Sequence, residues 1–137
     1  MNITASLVKK LRDNSGVGMM DAKKALVEAN GNMEEAIDWL RKKGISKAEK
    51  KSGRTAAEGL VSFYNNSNRA VLVEINSETD FVAKNADFQK MVYNISKKAV
   101  DFSNINDLVE TDVEGKKITE YVSDHISKIG ENINIRR

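Results

Sequence analysis

Proline does not occur once in the 137 residues, and neither does cysteine. These two absences constrain the fold more than any other feature. Without proline, helix ends have to be set by capping side chains and by glycine. Without cysteine there are no disulfides, no thiolate chemistry and no zinc site built on sulfur. The fold must rest on buried apolar side chains alone. Hydrophobic residues make up 40% of the chain, an ordinary share, and the length suits one ordinary domain or two small ones. In units this small, parts of the core will be thin.

Caps and glycines divide the first 45 residues into three short helices. Thr4 caps the first, with Ile3 and Val8 spaced as a hydrophobic staple. Leu7, Val8 and Leu11 form its apolar face, and "NSGVG" ends it. The second runs from about Met19 to Ala29, with Ala22, Ala25, Leu26 and Ala29 on one side. Gly31 then suits a left-handed C′ position. Asn32 and Glu35 resemble a capping box for the third helix, whose stripe is Met33, Ala36, Ile37 and Leu40. Gly44 is expected to close it. Helices of this length are marginal alone, so the three are expected to pack as a bundle. Residues 45–58, "ISKAEKKSGRTAAE", are lysine-rich and read as a linker or a solvated helix.

The second unit mixes strands and helices. "LVSFY" (60–64) and "AVLVEI" (70–75) flank the turn composition "NNSNR" and predict an antiparallel hairpin. A helical region over 80–102 buries Phe88, Met91, Val92, Ile95, Ala99 and Phe102. A polar connection follows, then a helix over 114–129 with Ile118, Val122, Ile126 and Ile129 aligned. "ENINIRR" alternates as an edge strand would. The reading is an α+β fold in two parts: 1–54, a three-helix bundle with a basic linker, and 55–137, a small antiparallel sheet packed with helices.

Catalytic chemistry finds no footing. His125, the only histidine, sits on a helix between acid and lysine and is expected on a solvated surface. There is no P-loop and no GxGxxG, and "SGVG" (15–18) lacks the lysine such a site needs. Carboxylate pairs such as those in "NMEEAID" have helix-surface spacing. No enzyme activity, cofactor or metal site is expected. The net charge of +2 is too small for a nucleic-acid binder by charge alone. The run Arg41, Lys42, Lys43, Lys47, Lys50, Lys51 and Arg54 has no interleaved aromatic for base stacking. It complements a helix C-terminus and solubilises a linker, so direct nucleic-acid contact is not expected. No stretch has a signal-peptide core, and no run approaches about 18 apolar residues. The expected location is cytoplasmic, away from membranes.

What remains is a surface for another protein. Met19 and Met20 open a helix whose core face is already supplied by Ala25, Leu26 and Ala29, and methionine is an adaptable contact residue. They could equally fill the bundle core. Phe81 stands beside Asp80 in the first turn of a helix that Thr79 can cap. It either folds back onto the hairpin or is presented outward.

Three segments carry a family resemblance. "LRDNSGVGMMDAKKALVEANGNMEEAIDWLRKKG" resembles the N-terminal module of bacterial elongation factor Ts, "SETDFVAKNADFQ" resembles that family's core motif, and "KIGENINIRR" matches it again. The first module also looks like the ubiquitin-associated fold. That likeness leaves a second reading, a ubiquitin-associated-like or nucleic-acid binding module without exchange activity. The resemblance to elongation factor Ts implies a guanine-nucleotide exchange factor for elongation factor Tu, acting in translation elongation on its GDP-bound and nucleotide-free forms. It implies that Thr79, Asp80, Phe81 and Val82 dislodge magnesium from the partner's nucleotide site, with Phe81 entering an apolar cleft. Ile129 and Gly130 would lie near that contact. Arg12, Met19, Met20 and Lys23 would pack on another helix of the GTPase. Family members usually continue beyond "NINIRR" into a second half of the core. The chain is therefore expected to be a truncated form or a fragment, and no strong dimer is expected of it.

Overall fold

The computed structural model describes residues 2–137. Helix α1 spans Ala5–Ser15, α2 Met19–Glu28 and α3 Met33–Lys51. The caps are those the sequence implied. Thr4 accepts the Leu7 N–H at 3.2 Å. Asn32 Oδ1 accepts the N–H groups of Glu34 and Glu35, and its Nδ2 donates to Glu35 Oε1 at 3.0 Å. Gly16 ends α1 in the left-handed region, and Gly31 takes φ +81° after α2. Val8, Leu11, Ala22, Ala25, Leu26, Ala29 and Ala36 form the bundle's core, with Ile3, Leu7, Met33, Trp39 and Leu40 packed around it. Its alanines let the helices approach closely but bury little area each. Ile37, expected in this core, is 45% exposed.

Gly44 does not end α3. The helix runs through it to Lys51, and Gly44 is buried. A Cβ there would stand 3.2 Å from Ser127 Oγ, so the glycine is a contact point, not a stop. The lysine-rich stretch after it is helical as far as Lys51, and Ala48 packs against the larger core. Asp21, in the first turn of α2, accepts hydrogen bonds from Lys43 Nζ at 2.7 Å and Lys47 Nζ at 2.9 Å. The Lys43 bond first, and the Lys47 bond next, hold its carboxyl below the usual carboxylate range. A depressed carboxyl stabilises the fold above its unfolded value, and that contribution is lost as the pH falls through the lower folded value. Asp21→Asn should therefore melt earlier than the parent at pH 7, by about 1 kcal/mol or less because the groups are partly solvated. In thermal melts across pH, this gap should close below about pH 4.

The remainder of the chain is a sheet with helices on one side. Strand β1 (Glu58–Asn65) pairs antiparallel with β2 (Ala70–Ser77). The predicted helical region over 80–102 is broken into α4 (Asp80–Ala83) and α5 (Ala86–Ala99). Asn85 caps the second piece by accepting the N–H groups of Asp87 and Phe88. After α6 (Ile105–Val109), a two-residue turn at Glu114 and Gly115, both at positive φ, joins β3 (Asp112–Val113) to β4 (Lys116–Lys117). Helix α7 (Ile118–Ile129) leads to β5 (Ile133–Ile135), which pairs antiparallel with β2. The three-stranded order is β1-β2-β5, with β2 central.

This is an α+β fold, as the periodicity implied. Phe88, Met91, Ile75, Ile95 and Ile118 are completely buried and centre the larger core. The opposite face of the hairpin carries Val61, Phe63 and Leu72, each more than 60% exposed, with Phe63 directly across from Leu72. Among the described residues, no helix is long and apolar enough to cross a membrane.

Candidate functional site

The centre of the site is the junction where β2 ends. Ser77, fully buried, donates from its hydroxyl to the Thr79 carbonyl at 2.9 Å. Thr79 is extended (φ −126°, ψ 156°) and caps α4, its Oγ1 accepting the Val82 N–H at 3.4 Å. Val82 is half-buried against the larger core, and Ala83 is buried. Helical geometry then points the residue between Asp80 and Val82 away from the core. Phe81 is 80% exposed, the most exposed large apolar side chain among the described residues. It is presented outward and does not fold back onto the hairpin.

Asp80 is exposed beside it and accepts a hydrogen bond from Lys84 Nζ at 2.8 Å, one helical turn on. That bond holds the Asp80 carboxyl below its ordinary range, with help from the N–H groups of the helix start. Asp80 is therefore ionised at neutral pH. Lys84 is a loose partner, itself 74% exposed at its side chain, and a donor on another protein could displace it.

The C-terminal end of α7 meets this junction. Ile129 is half-buried against the larger core, and Gly130 terminates α7 at φ +89°. The next residue, Glu131, reaches the backbone of Glu78 and Thr79. The structure thus places Glu131, directly after Gly130, against Thr79, 52 positions away. Sequence reading missed Glu131. Its signal lay only in its position directly after a helix-ending glycine.

Met19, Met20, Arg12 and Lys23 lie apart, on the N-terminal bundle. Met20 is 78% exposed and Met19 48%, so neither fills the bundle core. Arg12 and Lys23 are exposed as well. Gly18 caps α2 without a side-chain bond. The bundle and the sheet unit meet where α3 crosses α7, through Gly44 and Ser127 and an Arg41–Glu120 ion pair at 3.9 Å. His125 is not a solvated surface residue. It is half-buried in a groove of about 420 Å³ at this crossing, with Nδ1 2.8 Å from the Tyr121 carbonyl. Among the described residues, no group of three metal-ligating side chains is placed to hold an ion.

Comparison with known proteins addresses the whole chain. A family model described as elongation factor TS matches residues 78–137, the part that begins at this junction. Elongation factor Ts of Roseobacter denitrificans is 58% identical over 137 residues, all of this chain. Over its whole length this chain is similar to elongation factor Ts. The same protein of Ruegeria sp. (strain TM1040) is 56% identical over 137 residues. That of Brucella anthropi is 55% identical over 138. The chain spans about half the length of the elongation factor Ts sequences it matches: 47% of the first two and 45% of the third.

Proposed function

We propose that the chain is a guanine-nucleotide exchange factor for elongation factor Tu, working in the cytoplasm during translation elongation. The observation that carries this is Phe81, a large aromatic held out in solvent on a fixed base. The relationship to elongation factor Ts supplies the partner.

An exchange factor makes and breaks no covalent bond. A P-loop GTPase holds GDP through backbone N–H groups, a lysine and a magnesium ion. To expel GDP, the factor must bind the nucleotide-free state better than the loaded one. Phe81 enters an apolar cleft of the GTPase that opens when the magnesium-bearing loop has moved. Asp80, freed from Lys84, pairs with a donor on the partner. Thr79 and Val82 fix the turn from which both project. Ile129 and Gly130 border the same contact.

Arg12, Met19, Met20 and Lys23 form a second contact on another helix of the GTPase. In this division of labour, residues 1–54 dock and residues 55–137 expel. The two exposed methionines support such a docking role, because their side chains adapt to an apolar partner surface.

Elongation factor Tu loaded with fluorescent GDP tests the proposal. Adding the chain should release GDP faster than the spontaneous rate. Binding to ubiquitin or RNA with no change in release would favour the binding-module reading. In the same assay, Met20→Asp should raise the half-saturating concentration about tenfold, since a charge at the centre of an apolar contact costs at least 1.4 kcal/mol. The maximal release rate should be kept. A lowered maximum at unchanged half-saturation would remove the docking role.

A further inference from the structure

Resting on the exchange reading above, we propose that Glu131 is a positioning residue that sets the direction in which Phe81 is presented. Helix α4 has only four residues, too few to hold itself together. Phe81 cannot anchor it, because Phe81 touches solvent. Val82 and Ala83 hold one side of it to the core, and Glu131 fixes where it starts. Its Oε2 accepts the N–H groups of Glu78 and Thr79, both at 3.1 Å, and its Oε1 accepts the Thr79 hydroxyl at 2.7 Å. The third bond decides the cap. With its proton committed to Glu131, the Thr79 hydroxyl turns a lone pair to the Val82 N–H. Glu131 thereby orients the cap that starts the helix bearing Phe81.

The latch closes from the other side as well. The Asn132 N–H donates to Glu78 Oε1 at 2.6 Å, and Asn132 Nδ2 donates to the Arg54 carbonyl at 2.8 Å. The two carboxylates thus each hold the backbone of the other's segment. Charge-assisted bonds of this kind are directional, and a contact group held in its bound geometry loses less entropy on binding.

Glu131→Gln is the test. Glutamine can offer its one oxygen to the two N–H groups and its NH2 to the Thr79 hydroxyl, but the carboxylate charge is lost from every bond. The hydroxyl must accept where it donated, which frees its proton and loosens the cap. The amide protons of Glu78, Thr79 and Val82 should exchange with solvent about tenfold faster, one charge-assisted bond's worth, while those of β2 and α5 keep their protection. Stimulated GDP release should fall by about the same factor. In a Phe81→Ala background, Glu131→Gln should cause a clearly smaller further fall, the part carried by Asp80. Glu131→Asp, which withdraws the carboxylate by one methylene, should act in the same direction and serves if glutamine impairs folding. An equal loss in both backgrounds would show a general structural role and overturn the inference, as would unchanged amide exchange at Glu78 and Thr79. If the parent chain releases no GDP, the exchange reading fails, and amide exchange alone then decides whether Glu131 positions the segment.

Discussion

Phe81→Ala should lower stimulated GDP release from elongation factor Tu by about ten- to a hundredfold and leave the melting temperature almost unchanged. Both halves follow from one observation, the 80% exposure of this side chain. Burying a phenylalanine in a partner's cleft is worth roughly 1.5–3 kcal/mol, which is about one to two powers of ten in affinity. Within its own chain the ring buries little, and exposed substitutions usually shift stability by about 0.5 kcal/mol or less. Alanine also has a higher helix propensity than phenylalanine, so α4 gains no penalty from the change. Stopped-flow release of fluorescent GDP together with a thermal melt checks it. A variant that unfolds, or one that exchanges normally, would contradict the role given to Phe81.

Gly59→Ala should do the reverse: destabilise the fold strongly through a position outside the proposed contacts. Gly59 lies in β1 opposite Asn76, at φ +128°. A Cβ there would stand 2.2 Å from the Ile75 carbonyl oxygen and 2.7 Å from the Asn76 Cα. Both are backbone atoms of the central strand, so no side chain can rotate away. The strained φ adds about 1–3 kcal/mol, and the overlap a similar amount. The expected loss is about 3 kcal/mol or more, which lowers the melting temperature by about 10 °C in a chain of this size. Because β2 leads into Ser77 and Thr79, the presentation of Phe81 should suffer too, and exchange activity should fall with the folded fraction. A melting temperature within about 2 °C of the parent's would mean that β1 can shift without cost to its neighbour.

The local features of the fold were legible because they are local. Thr4, Asn32 and Gly31 act on backbone groups within a few positions, and the hairpin's alternation is visible along each strand. Long-range roles were not. Gly44 looks like a helix stop, since glycine often ends helices. Its actual use, admitting Ser127 Oγ of α7 close to α3, depends on a residue 83 positions away. The break at Asn85 was masked by the strong apolar period of α5, although asparagine followed by Asp87 and Phe88 is a readable cap. The β3–β4 hairpin was hidden by its size, two residues per strand, with Glu114-Gly115 as its signal. At the candidate site, Thr79 could be read as a cap, but whether Phe81 pointed inward or outward could not. That choice rests on which side of α4 meets the core, and Val82 and Ala83 take it. Glu131 was invisible for the same reason as Gly44.

The central claim is that this chain drives GDP out by binding nucleotide-free elongation factor Tu in preference to the GDP-loaded form. Titrating the chain into each form, with binding followed calorimetrically, tests this directly. The account predicts tighter binding to the nucleotide-free form, by the same factor through which the chain weakens GDP, since the two effects are linked. Equal affinity for the two forms would contradict it, because a ligand that does not discriminate between states shifts nothing between them.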